Sequence, residues 1–130
     1  MYPYPGLSES DCARLIVVDV QKQFVSSNTE HILPGIEAII PTFDRVVFSQ
    51  IEHDADQYVY ALKKWKPAPF GSEGHAPAIP LAPRDGKHLH FTRKKFFSAC
   101  TEDALAFFED NTGDAIHICG KDADLCVQQT

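Results

Sequence analysis

The sequence predicts an α/β fold: a parallel sheet in a three-layer α/β/α arrangement of Rossmann-like type. Three observations carry that expectation. Apolar, β-branched runs recur, as in "LIVV", "RVVF" and "AIHIC". Segments with helical spacing stand between them, and polar, chemically active residues follow directly on the runs' carboxyl ends. Continuous apolar runs suit strands covered on both faces, and strands alternating with helices suit a parallel sheet.

Taken in order, "ARLIVVDVQKQF" opens the fold with a buried strand over residues 15–18, followed at once by Asp19. "PGIEAIIPTF" has helical spacing between two prolines. Pro34 suits a first turn, whereas Pro41 marks a break or an end. "RVVFSQ" reads as a second buried strand and "DQYVYALKKW" as a helix rich in aromatics. Residues 66–86 hold five prolines and three glycines, Pro67, Pro69, Pro77, Pro80 and Pro83 with Gly71, Gly74 and Gly86. A long irregular segment inside a compact domain suits a lid or a binding loop. "KHLHFT" is a third strand. "SACTEDALAFFEDNTGD" is a helix, with Thr101 as N-cap, Glu102 and Asp103 in the positive first turn, Leu105 and Phe108 on one face and Gly113 past the end. "AIHICG" is the fourth strand.

The 130 residues suit one domain with one core. At 44% hydrophobic and 23% charged, the composition is that of a globular protein. The net charge of -6, with both signs interspersed, argues against a nucleic-acid binder, which needs a basic face. No apolar run is long enough to span a membrane, and the opening "MYPYPGLSESDCARL" lacks the pattern of a secretory signal. A cytoplasmic location is therefore expected. Cys12, Cys100, Cys119 and Cys126 are then expected as thiols, and no C-x-x-C pair suggests structural zinc.

Ligands of open parallel sheets bind beyond the carboxyl ends of the strands. The residues expected there are Asp19 after the first strand, 49–53 after the second, 93–95 after the third and 121–126 after the fourth. An acid, a base and a thiol thus converge on one rim. A carboxylate can take the proton of a thiol, whose thiolate is the nucleophile, and a lysine ammonium stabilises both anions. Each residue also has a plainer reading. Asp19 alone fits a cap or loop residue, one lysine of "RKK" fits a solvated side chain, and a cysteine fits a small buried apolar residue. Cys12, Cys100 and Cys119 take that last reading.

The motifs in order resemble those of the isochorismatase-like cysteine hydrolases, a family that includes nicotinamidases. "LIVVDVQKQF" is similar to the opening strand motif, an aspartate and then x-Q-x-x-F. "KKFFSAC" resembles the lysine motif K-x-x-[YF]-S-A-F, and "GKDADLCVQQT" resembles G-x-x-x-D-x-C-V-x-x-T. "VVFSQIEH" stands where the family has a strand ending in T-Q-D-x-H. The resemblance implies Asp19 as general base, Lys94 rather than Lys95 as the triad lysine, and Cys126 as nucleophile. It further implies a non-proline cis peptide between Lys121 and Asp122, an oxyanion hole from the backbone N–H groups of Asp122 and Cys126, and Phe24 in the pocket wall. The reaction implied is cleavage of a small amide-type C–N bond without a cofactor. Pocket walls shared with a neighbouring subunit imply a homo-oligomer acting on a small molecule, with no nucleic-acid or membrane partner.

The sequence departs from the family pattern in several places. Ile51 stands where metal-binding nicotinamidases carry an aspartate, leaving only His53, so no catalytic metal is expected. Ala123 replaces a threonine, and Cys100 replaces a phenylalanine as a smaller wall residue. The family pattern continues past the cysteine through a helix and further strands. Residues 1–130 are therefore expected to be a single domain incomplete at its C-terminus, with the last strands missing. These departures leave a second reading, an impaired or inactive member acting through association, and the resemblance leaves a third, vinyl-ether hydrolysis of the isochorismate type, in which the aspartate dominates. His88 and His90 share a strand face without a third ligand, His117 reads as a hydrogen-bonded core histidine, and "GKDAD" lacks the spacing of a P-loop.

Overall fold

The computed structural model describes residues 14–52, 69–81, 88–95, 98–108, 116–120 and 130. Four strands, β1 (Arg14–Val18), β2 (Arg45–Ile51), β3 (Leu89–Lys94) and β4 (Ile116–Gly120), form one parallel sheet in the order β3-β2-β1-β4. Register aligns Leu15 with Val46 and His117, and Val18 with Ser49 and Gly120. β2 and β3 pair from Val46↔Leu89 to Ile51↔Lys94. The order reverses at β1, whose neighbours on its two sides come from different parts of the chain. In open sheets this is the place where a crevice for ligands forms, beyond the carboxyl ends.

Alternation along β1 and β2 divides the core between the two sheet faces. Leu15, Val17, Val46 and Phe48 pack on one face with Ile36, Ile40, Phe43 and Ile79. Ile16, Val18 and Val47 pack on the other with Ala99, Ala104 and Phe108. Helix α1 (Leu33–Ile39) covers the first face; Pro34 lies in its first turn, and Pro41 falls in the 3-10 turn Ile40–Thr42 that follows. Helix α2 (Glu102–Phe107) covers the second face, started by Thr101, whose hydroxyl accepts from the Ala104 N–H at 3.2 Å. The three-layer α/β/α expectation is met.

Three details differ from the sequence reading. Leu105 is 52% exposed, while Ala104 and Phe108 face the sheet; these two lie four apart, on one helix face, and Leu105 lies off it. Cys100 is exposed rather than part of a wall, and its Sγ reaches the Thr130 carbonyl oxygen at 3.2 Å. β2 and β3 both run further than expected, to Ile51 and Lys94. The helix expected over 56–65 lies outside the described residues.

Residues 69–81 are irregular, as expected, and are fixed to the strand ends by backbone bonds. Lys22 N donates to Ala76 O at 2.9 Å, Gln23 N to Gly74 O at 2.9 Å, and Ala78 N to Val20 O at 2.9 Å.

Candidate active site at the carboxyl edge

Asp19 is the first residue past β1 and is 1% exposed. Its φ of 55° lies in the left-handed region, where aspartate is tolerated better than most residues. The abrupt turn ends the strand and directs the carboxylate across the carboxyl ends of β2 and β3. There Oδ2 lies 2.9 Å from Lys94 Nζ, and both side chains are 2% exposed. The contact is an ion pair rather than an aligned hydrogen bond. Lys95, the other lysine considered, is exposed. Alternation explains the difference: at the end of β3, Thr92 and Lys94 point inward, whereas Phe91, Arg93 and Lys95 are exposed.

Ser49, fully buried on β2, completes the cluster. Its Oγ donates to Asp19 Oδ1 at 2.8 Å and accepts from the Asp19 N–H at 3.2 Å. Gln21, also fully buried, joins the neighbouring elements. Its Nε2 donates to Ile51 O at 3.2 Å and to His75 O at 3.0 Å, while its Oε1 accepts from the Ile51 N–H at 2.9 Å. Gln50 Nε2 adds a second bond to His75 O at 3.1 Å. The sequence reading gave no role to Ser49 or Gln21. Ser49 carried a signal, as a polar residue directly after the buried apolar run 46–48, where it must find hydrogen-bond partners.

Phe24 and Asp19 line one small pocket, together with Gln21, Thr29 and Leu33. Lys94 also lines an open cleft, together with Glu52, Arg93 and Lys95. Arg93 pairs with Glu52 and stacks on Phe70, its guanidinium carbon 3.6 Å from the ring centroid. Asp122 and Cys126, with the peptide between Lys121 and Asp122, lie outside the described residues. Gly120 marks the approach to them. Its φ is 144°, and a Cβ there would lie 2.2 Å from the Val18 carbonyl oxygen. Only glycine lets β4 end this close to β1.

The remaining candidates separate by environment. Burial pushes the Cys119 thiol up to about 12, so it stays protonated and unreactive. His90 Nε2 lies 2.7 Å from Asp103 Oδ2, an acidic partner the sequence reading did not find. His117 packs against Phe43 with ring centroids 5.5 Å apart. Ile51 is a buried hydrocarbon without a ligand atom. Among the described residues no three His, Cys, Asp or Glu side chains cluster to hold an ion. His53 lies outside those residues.

A doubly wound sheet with a buried acid–lysine pair at its switch point defines an α/β domain built around a polar site. The isochorismatase domain model matches residues 13–130, and the chain belongs to the isochorismatase family. No curated protein matches it. Several solved structures share the fold. The nicotinamidase of Bacillus subtilis is 23% identical, with a TM-score of 0.68 over 89% of this chain and 74% of that one. The N-carbamoylsarcosine amidase of Thermoplasma acidophilum is 19% identical, with a TM-score of 0.73 over 91% and 72%. The pyrazinamidase of Pyrococcus horikoshii, solved in complex with zinc, is 20% identical, with a TM-score of 0.70 over 90% and 74%.

Proposed function

We propose that this protein is a hydrolase of a small amide-type C–N bond, with Cys126 as nucleophile, Asp19 as general base and Lys94 as the cation between them. The observation that carries the reading is the Asp19–Lys94 pair, 2.9 Å apart and almost wholly buried at the carboxyl edge. Sequestering two charges costs several kcal/mol per ion before pairing, and such groups cluster where chemistry needs them. Membership of the family and the fold shared with a nicotinamidase and an N-carbamoylsarcosine amidase support the same reaction class.

In this reading Asp19 takes the thiol proton of Cys126, and the thiolate attacks the amide carbonyl. The backbone N–H groups of Asp122 and Cys126 hold the oxyanion. The C–N bond breaks as Asp19 returns the proton to the leaving nitrogen, leaving a thioester. Water then adds to the thioester carbonyl, its proton passing to Asp19. The thiolate leaves with the carboxylic acid released, and Cys126 recovers its proton. Phe24 forms part of the substrate wall. A cytoplasmic homo-oligomer belongs to the same reading: the free thiols of Cys100 and Cys119 fit a reducing compartment, and the half-exposed Ile116 and Ile118 of β4 fit contact with another copy.

Iodoacetamide labelling followed by peptide mapping tests the assignment. Cys126 is expected to react stoichiometrically and faster than a model thiol. Asp19→Ala is expected to abolish that advantage, with Cys119 staying unlabelled. Labelling of Cys126 at the rate of a free thiol would remove the basis for the reading.

A further inference from the structure

The two oxygens of the Asp19 carboxylate have different partners. Oδ2 has Lys94 Nζ at 2.9 Å, and Oδ1 has the Ser49 hydroxyl at 2.8 Å. A lysine ammonium is a compact charge with three rotatable donors on a flexible stem, so it fixes neither the rotation of a carboxylate nor the oxygen it meets. A serine hydroxyl on a buried strand has one proton and one short side chain. Here its oxygen also accepts the Asp19 N–H at 3.2 Å, and the same N–H lies 3.2 Å from the Ser49 carbonyl oxygen. Ser49 therefore holds residue 19 at its backbone and at its carboxylate, across a turn with φ at 55°.

We infer that Ser49 is a positioning residue for Asp19. Its hydroxyl sets the rotation of the carboxylate, so that Oδ1 is occupied and Oδ2 stays beside Lys94, and it favours the ionised form. A hydrogen bond donated to the charged state lowers the proton affinity of the acid. Lys94, reaching in from β3, acts in the same direction. Among the described residues, the titratable groups towards this end of the surrounding elements include Glu52, Arg93 and Lys95 at the strand ends, His75 and Glu73 in the 69–81 segment and Cys119 on β4, with Arg14, Arg45, His90 and His117 further back along the strands. Cys119 stays neutral, its thiol pushed up to about 12 by burial. The catalytic consequence, a base kept unprotonated and correctly turned, rests on the reading of Asp19 given above. The effect on its proton does not.

The test is therefore a direct titration of the carboxyl group. Protein labelled with ¹³C at the aspartate carboxyls is followed by NMR from neutral to acid pH, and Asp19→Asn assigns the Asp19 signal. Ser49→Ala is expected to raise the Asp19 midpoint by about 1–2 pH units, the size of one hydrogen bond to a charged group. Ser49→Thr keeps the hydroxyl and is expected to titrate close to the unmodified protein. A purely structural role for Ser49 would not separate these two variants in that way. If Ser49→Ala does not fold, Ser49→Cys, a weaker donor of similar shape, is expected to shift the midpoint in the same direction by less. The inference is overturned if the alanine or cysteine variant keeps Asp19 ionised to as low a pH as the unmodified protein. It is equally overturned if Ser49→Thr shifts as far as Ser49→Ala. Failure of the hydrolase reading has a different signature, Cys126 labelling indifferent to Asp19→Ala, which leaves the carboxyl titration unchanged.

Discussion

Two carboxylates in this protein have nearly the same set of partners and very different surroundings. Asp19 has a lysine and a serine hydroxyl; Asp103 has a histidine and the threonine hydroxyls of Thr92 and Thr101. Both clusters draw on β3, through Lys94 and His90. The Asp19 side chain is 2% exposed and that of Asp103 is 53% exposed. The same bonds therefore do different work. In water the Asp103 cluster organises the first turn of α2 and contributes modestly, because solvent competes for every partner. Away from water, losing a partner of Asp19 costs more, because solvent cannot take its place. Burial, more than partner chemistry, separates a helix cap from a candidate catalytic site.

The largest test removes the cation from the buried cluster. Lys94→Met is expected to lower the free energy of unfolding by about 3–5 kcal/mol, measured by urea denaturation, because the buried Asp19 carboxylate loses its cation. A loss below about 1 kcal/mol, the size expected of exposed pairs, would erase the contrast between the clusters. Thr101→Ala should have a smaller effect, about 1 kcal/mol, through the lost N-cap of α2. Far-UV circular dichroism should show the helix fraying before the sheet.

Smallest is Asp103→Asn, expected to have little effect near neutral pH and less in acid. Burial works against the charged form of Asp103, but hydrogen bonds from His90, Thr92 and Thr101 outweigh it and hold the carboxyl below its ordinary 3.8. The folded value lies below the unfolded one. The contribution is therefore complete above pH 3.8 and fades as pH falls through the lowered folded value. The stability difference between the native protein and Asp103→Asn should shrink over that acidic window, followed by thermal denaturation at a series of pH values. A difference that grew on acidification would reverse the assignment.

The centre of the sheet was legible because β1 and β2 are buried on both faces. "LIVV" and "VVF" carry no solvent-facing alternation, and that pattern itself identified a parallel sheet. The ends of β2 and β3 were less legible. Apolar patterning stops before Gln50 and at Thr92, yet pairing continues to Ile51 and Lys94 because a strand end carries polar side chains once they have partners. Asp19 and Lys94 were readable as candidates through their position after the apolar runs and through the motifs. The roles of Ser49 and Gln21 were less legible, since they arise from contacts across 30–54 residues of sequence, such as Gln21 with His75. Leu105 was misread because helical spacing gives the face of a helix only to within one residue on so short an element.

Gln21 sets a limit on how this sequence can vary. Its amide donates to two carbonyls, from β2 and from the 69–81 segment, and accepts one N–H, all with no exposure to solvent. Glutamate has the length and the acceptor but lacks the donors, leucine has neither, and asparagine falls a methylene short. In a library randomised at positions 21 and 22 and selected for folded protein, position 21 should return almost only glutamine. Position 22, exposed one residue further on, should return nearly anything.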